Sequence, residues 1–123
     1  MALRSPDGAY LWDLIRAGEA ILTYLAGRSM DDYLADRQVR SAVERELEIV
    51  SEAARRLTPE FRAEHDEIPW SAIIGQRNIL AHEYQRIDNA RIWRVAVRDL
   101  PRLIDTLKPL LPADPISDEE NPG

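Results

Sequence analysis

The sequence predicts an all-α protein, an antiparallel bundle of four long helices joined by short helical turns. Three observations favour this fold class. Apolar residues recur at i, i+3, i+4 and i+7 in four stretches of the chain. A side chain able to cap a helix precedes most of these stretches, and no stretch alternates as a strand would. Short connections between long amphipathic helices are typical of an antiparallel bundle.

The first long helix is predicted to begin at Ser5-Pro6-Asp7. A capping residue there precedes a proline whose missing N–H does no harm at the first helical position. Gly27 is expected to end the helix. Gly18 lies on the apolar face, where a missing side chain lets another helix come close. That face consists of Leu11, Leu14, Ile15, Gly18, Ile21, Leu22 and Leu25.

Polar caps mark the next elements. Ser29-x-x-Asp32 resembles a capping box, with Asp in place of Glu, and should open a short turn through Leu34. Asp36 should cap the second long helix, and Thr58-Pro59-Glu60 should open another short turn. The apolar face of the second long helix consists of Val39, Ala42, Val43, Leu47, Val50, Ala54 and Leu57.

The last long helix is expected to start at the cap Asp88 and to kink near Val97–Leu100, because Pro101 removes one backbone hydrogen bond. From Pro112 onward the chain is acidic and rich in proline, which predicts a disordered tail. The predicted organisation is therefore one helical domain over residues 1–111 and a tail over residues 112–123. The apolar set of the helix is Ile92, Val95, Ala96, Leu100, Leu103, Ile104, Leu107 and Leu111.

The central helix, predicted over Trp70–Tyr84, carries the polar residues that matter most. Its apolar stripe has Arg77 in its middle and Tyr84 on the same line. An arginine on an apolar face is costly unless it is paired or opens onto a site. A structural ion pair with Glu46 is one alternative. The stripe consists of Trp70, Ile73, Ile74, Leu80 and Ala81.

His82 lies about 140° around an ideal helix from Arg77, beside Asn78. Two arrangements would bring His82 and Arg77 together. The helix could end near His82, or a second copy could present its own helix across a two-fold axis. The second arrangement predicts a symmetric homodimer with Arg77, Asn78, His82 and Tyr84 near the axis. Gly75 inside this helix also suggests the close approach of another helix.

The composition limits the classes of function. A net charge of −6 counts against a broad electrostatic grip on RNA but leaves room for a local basic cleft. Without cysteine there is no disulfide framework, thiolate metal site or thiol nucleophile. No membrane-spanning run or signal peptide is recognisable, so we expect a cytoplasmic protein without a membrane partner.

The central cluster suits cleavage of an RNA phosphodiester by its own 2′-hydroxyl. An imidazole moves protons near neutral pH, and a guanidinium matches phosphate oxygens. His82 would move the proton, Arg77 would hold the developing charge, and Asn78 would orient either partner. We expect no metal and no cofactor. The other histidine, His65, is predicted to be exposed without a role, and Trp12, Trp70 and Trp93 to be core or interface residues.

Arg77-Asn78-x-x-x-His82-x-Tyr84, with LEIVSEAARRL (47–57) and the run from Phe61 through IPWSAIIGQRN, resembles the HepT-like branch of the HEPN superfamily. The resemblance runs from about Leu11 to Leu111, although Ser51 stands where that family often has glycine. It implies a HEPN-type fold and a metal-independent ribonuclease that acts as a dimer.

The resemblance also implies the toxin of a type VII-like toxin–antitoxin pair, with an MntA-like nucleotidyltransferase antitoxin that adds AMP to Tyr84. Two alternatives remain open at this point. One is a non-catalytic HEPN scaffold that binds such a nucleotidyltransferase. The other is a helical dimer that binds a small nucleotide in its cleft.

Overall fold

Helices make up the protein wherever the computed structural model describes it, which is over residues 6–81 and 88–112 (the backbone alone for residues 6 and 76–81). That part of the chain contains no strand, so the predicted all-α class is confirmed. None of its helices is long and apolar enough to cross a membrane. The helices are α1 (Pro6–Leu25), α2 (Met30–Ala35), α3 (Arg37–Arg56), α4 (Pro59–Glu64), α5 (Trp70–Ala81), α6 (Asn89–Arg94) and α7 (Leu100–Leu107).

The segments from Asn89 to Leu110 form one continuous helix, which we call the last helix. A π-helical turn, Val95–Asp99, joins α6 to α7, and a 3-10 turn, Lys108–Leu110, follows α7. The backbone keeps right-handed helical angles at both junctions of the π turn. The Leu100 N–H donates to the carbonyl of Val95, five residues back. The π turn therefore sits where Pro101 was predicted to disturb the helix, because proline cannot donate and its ring crowds the carbonyl four residues earlier.

Local caps begin the helices at the predicted residues. Ser29 and Asp32 form the complete capping box: the Asp32 N–H donates to Ser29 Oγ at 3.1 Å, and the Ser29 N–H donates to Asp32 Oδ2 at 3.0 Å. Three further caps accept the N–H three residues ahead at 3.0–3.1 Å: Asp36 from Val39, Thr58 from Phe61 and Asp88 from Arg91.

The core lies between α1, α3 and the last helix. α1 packs along α3, α3 packs along α5, and the last helix also packs against α1. Gly18 makes that contact possible: a Cβ there would lie 3.0 Å from Ile104 Cδ1, so the predicted close approach is confirmed. Gly27 ends α1 with a φ of 76°, which favours glycine. The largest fully buried aliphatic side chains are Leu11, Leu14, Ile15, Ile21, Leu57 and Leu107.

One buried carboxylate ties the start of α1 to the end of α3. Asp7 is 7% exposed. Its Oδ1 accepts the Thr58 N–H at 2.8 Å, and its Oδ2 accepts the Thr58 hydroxyl at 2.7 Å. The link shows that α1 and α3 run antiparallel, as the sequence predicted for this pair. The tail from residue 113 lies outside the described residues, so its disorder stays a prediction.

Candidate active site

The start of α5 is anchored by Trp70. Its side chain is 7% exposed, and its ring centroid lies 6.2 Å from that of Phe61 in an edge-on contact. Its indole Nε1 donates to the carbonyl of His65 at 3.0 Å. Burial of an aromatic body with its N–H satisfied gives a stable anchor. The first turn of α5 is therefore held against the connection that precedes it.

A second anchor comes from α3. Ser51 is 1% exposed, and its Oγ donates to the carbonyl of Ile73 at 2.9 Å. In an α-helix the same carbonyl accepts the N–H of the residue four positions ahead, which is Arg77. The hydroxyl therefore bonds α3 to the turn of α5 that leads into Arg77. Sequence reasoning noted Ser51 only as a departure from the resembled family; a serine beside Val50 on a buried face was the available signal.

The predicted site residues lie at the edge of the described chain. The backbone of Arg77 and Asn78 belongs to the last turns of α5, but their side chains lie outside the description. His82 and Tyr84 also lie outside the described residues. Their mutual arrangement, and the alternative ion pair between Glu46 and Arg77, therefore stay predictions.

The other histidine and the three tryptophans named in the sequence analysis lie within the described residues. His65 is half-buried rather than exposed, because its ring packs on Phe61 with a centroid distance of 4.6 Å. Phe61 and His65 are four positions apart at the end of α4, a spacing that brings two side chains together. Trp70 is a core residue, and Trp12 and Trp93 are half-buried; the ring of Trp93 lies 5.7 Å from that of Tyr33.

Gly75 has open space beside it. A Cβ built at Gly75 meets no atom of the described residues within 4 Å, in contrast to Gly18. Gly75 and its neighbour Ile74 are half-buried. The close approach that the sequence suggested at Gly75 is therefore not made by another helix of the described chain.

A cavity of about 590 Å³ lies between α1 and α3, away from the start of α5. The charged side chains of α3 near this cavity form ion pairs with one another. Arg55 and Arg56 donate to the Glu52 carboxylate at 2.6 and 2.8 Å. These hydrogen bonds lower the pKa of Glu52 to about 2. The Arg56 guanidinium also lies 5.9 Å from the Tyr10 ring centroid. Nowhere among residues 6–75 and 88–112 do three or more potential metal ligands form a cluster.

Comparisons with known proteins show which family this chain resembles. A family model described as Ribonuclease HepT-like matches residues 14–110. A Caldanaerobacter subterraneus protein named Putative RNase is 33% identical over 102 residues, 83% of this chain and 91% of that protein. A Methanocaldococcus jannaschii protein of the same name is 30% identical, over 77% of this chain and 87% of its own.

A third relative is a Thermococcus cleftensis protein named Probable ribonuclease HepT. It is 34% identical over 94 residues, which is 76% of this chain and 86% of that protein. No solved structure matches the chain. These relatives are similar over nearly their whole length, so the likeness concerns the complete helical domain.

Proposed function

The chain belongs to the HepT-like ribonuclease family, and we propose that it is the toxin of a type VII-like toxin–antitoxin pair. In this proposal it is a metal-independent HEPN endoribonuclease that works as a homodimer. The observation that carries the proposal is the family match over residues 14–110, which includes the motif Arg77-x4-His82-x-Tyr84. Relatives named as ribonucleases support the same activity.

The chemistry follows from the two catalytic side chains. The 2′-oxygen of the RNA forms a bond to phosphorus, the bond to the 5′-oxygen breaks, and a 2′,3′-cyclic phosphate remains. His82 takes the proton of the 2′-hydroxyl, and a protonated imidazole or water supplies one to the departing 5′-oxygen. Arg77 holds the charge on the phosphoryl oxygens through its fork of donors. Asn78 supports the orientation of His82 or the phosphate.

The anchors of α5 support this assignment. A catalytic arginine must be held in place, since small displacements of a catalytic group are costly. Ser51 and Trp70 fix the first turns of α5 by hydrogen bonds of 2.9 and 3.0 Å to carbonyls. Arg77 follows directly on the segment that these bonds hold.

The ribonuclease is tested by incubating total cellular RNA with the protein in EDTA. We expect cleavage that leaves cyclic phosphate ends. His82→Ala should lower the cleavage rate about 10²–10⁴-fold, the usual effect of losing general acid–base catalysis. Arg77→Lys should also lower the cleavage rate, because an ammonium group cannot replace the paired N–H donors of the guanidinium. His65→Ala is the matched control, since it removes the other imidazole of the chain. A loss below about threefold for His82→Ala would place the chemistry elsewhere.

The dimer is tested by light scattering. The open space beside Gly75 supports a second copy at this face of α5. We expect a symmetric homodimer at micromolar concentration. A monomer whose mass does not change with concentration would contradict a site shared between two chains.

The antitoxin is proposed to act on Tyr84. The Tyr84 phenol oxygen attacks the α-phosphorus of ATP, the bond between the α- and β-phosphates breaks, pyrophosphate leaves, and a base takes the phenol proton. The added nucleotide carries negative charge beside His82 and Arg77, where it would occupy the phosphate site and repel RNA.

The modification is tested by co-expression with the proposed partner, an MntA-like nucleotidyltransferase. Intact-mass spectra should show whole AMP units on the wild-type chain and none on Tyr84→Phe. Tyr24→Phe, which alters an exposed tyrosine of α1, is the control. AMP that persists on Tyr84→Phe would remove this tyrosine from the mechanism. Growth arrest on expression of the chain alone distinguishes a toxin from a non-catalytic scaffold.

A further inference from the structure

A groove of about 710 Å³ lies between the start of α5 and the last helix. Four arginines of the last helix line it, and we propose that this arginine groove holds the phosphates of single-stranded RNA on its way to the catalytic site. The inference rests on the proposed ribonuclease function and adds where the substrate strand runs. The four residues are Arg91, Arg94, Arg98 and Arg102.

The charge of the groove is opposite to that of the chain. Its lining carries four arginines against two acids, Glu67 and Asp99, whereas the whole chain has a net charge of −6. Arg98 Nε lies 3.3 Å from Asp99 Oδ1 at an exposed position, so that pair is weak. The other three arginines form no ion pair with any residue that the structure describes. Their guanidinium groups can therefore bind the phosphates of a nucleic acid.

The spacing of the arginines fits a nucleic acid strand. They follow one another at intervals of three, four and four residues, so neighbouring side chains start about 5–6 Å apart. The row is about 16 Å long at the usual helical rise. A stacked strand advances about 3.4 Å per phosphate. The row therefore spans about four or five phosphates.

The apolar lining of the groove favours a single strand over a duplex. Apolar side chains from α5 and the last helix line the groove together with the arginines, among them Ala72, Ile73 and Leu103. Unpaired bases present apolar faces to such a surface while their backbone stays with the charged row. In a duplex the bases are stacked inward and would leave this apolar lining uncovered.

The groove also runs toward the proposed catalytic residues. Ile73 lines the groove, and Arg77 lies one helical turn further along α5, on the same side of the helix as Ile73. Ile73 is also the residue whose carbonyl Ser51 holds. A strand lying against the arginine row would thus pass the turn of α5 that precedes Arg77.

The proposal is tested by RNA binding in a His82→Ala background, which separates binding from cleavage. The probe is a fluorescein-labelled single-stranded RNA of mixed sequence, and its Kd is measured by anisotropy between 50 and 200 mM salt. The groove variant is Arg94→Gln/Arg102→Gln. The matched control is Arg37→Gln/Arg45→Gln on α3, whose arginines are exposed and outside the groove. Both double variants lower the formal net charge from −6 to −8.

Each phosphate contact of a single strand contributes about 0.7 to the slope of log Kd against log salt concentration. The groove variant lacks two arginines, so its slope should be about 1.4 smaller than that of the parent. The parent Kd should therefore rise about sevenfold more than the variant Kd across this salt range. The control should keep the parent slope. Equal slopes in both double variants, or no binding by the parent, would overturn the proposal.

The remaining outcomes separate this inference from the proposed function. If the groove variant keeps its RNA slope but loses the nucleotidyltransferase in a pull-down, the groove is a protein docking site and the proposal is wrong. If wild-type protein does not cleave RNA but the groove variant still loses the slope, the groove stands and the ribonuclease proposal fails. Circular dichroism of each variant checks that the helices are intact.

Discussion

Replacing the buried Asp7 by alanine should strongly destabilise the protein. Asp7 is almost fully buried, and its two oxygens accept two hydrogen bonds from Thr58, at 2.8 and 2.7 Å. These bonds join the first turn of α1 to Thr58, which caps α4 directly after the end of α3. Asp7→Ala removes both and leaves the Thr58 N–H without this acceptor.

The magnitude follows from the charge of the acceptor. A hydrogen bond to a charged group contributes about 1.5–3 kcal/mol, and the two bonds share one carboxylate, so we expect a loss of about 2–4 kcal/mol. That is a large share of the roughly 5–15 kcal/mol that stabilises a domain. For a chain of this size it corresponds to a fall in Tm of about 10 °C.

The assay is urea unfolding followed by circular dichroism. Asp7→Asn should lose about half as much free energy as Asp7→Ala, because an amide keeps one acceptor oxygen. Asp13→Ala, at an exposed position of the same helix, should stay within about 0.5 kcal/mol. In a double-mutant cycle with Thr58→Ala the coupling should be smaller than the Asp7→Ala loss, since the backbone N–H bond survives in Thr58→Ala. A loss below about 0.5 kcal/mol for Asp7→Ala would refute the reasoning.

Three further changes have distinct outcomes. Gly18→Val should cost about 1–3 kcal/mol in urea unfolding, because even a Cβ there lies 3.0 Å from Ile104 Cδ1. A Cβ at Gly75 meets no atom of the described residues within 4 Å, so Gly75→Ala should stabilise the monomer by up to about 1 kcal/mol in urea unfolding at a concentration where the dimer has dissociated; an unchanged midpoint would contradict this. Burial raises the pKa of Tyr33 to about 12, so one tyrosine should ionise last in an ultraviolet titration, and Tyr33→Phe should abolish that step. The pKa of Tyr33 is higher in the folded chain than in the unfolded chain. The free energy of unfolding that depends on Tyr33 is therefore fully present below pH 10 and is lost as the pH rises toward 12.

Helix boundaries were predictable because their signals are local. Each cap joins residues three positions apart, as in Asp36 with Val39 and Asp88 with Arg91. Asp36 also follows the last residue of α2, so one residue marks the end of one helix and the start of the next. The same holds for Pro101, whose effect on the backbone depends only on the preceding turn. Gly18 was predictable for a different reason, since its position on an apolar face already required a close neighbour.

The links between helices were not predictable in this way. Asp7 and Thr58 are 51 positions apart, and Ser51 and Ile73 are 22 positions apart. Nothing in the local sequence selects such a partner, because the pairing depends on how two helices dock. Asp7 was noted in the sequence as part of the signal that begins the first helix, and not as the buried acceptor that it is. The contact of His65 with Phe61 is different, because these residues are only four positions apart at the end of α4 and their spacing could have revealed it.

The arginine groove shows how a local charge pattern can stay hidden in a global balance. The acidic net charge of −6 counted against a broad grip on RNA, yet four arginines at helical spacing line one groove beside α5. In the proposed mechanism the two facts act together. Acidic surface elsewhere repels a polyanion, and the groove is where attraction exceeds that repulsion. A strand is therefore guided along α5 toward Arg77 rather than held over the whole protein, so binding should be steeply salt-dependent but confined to one path.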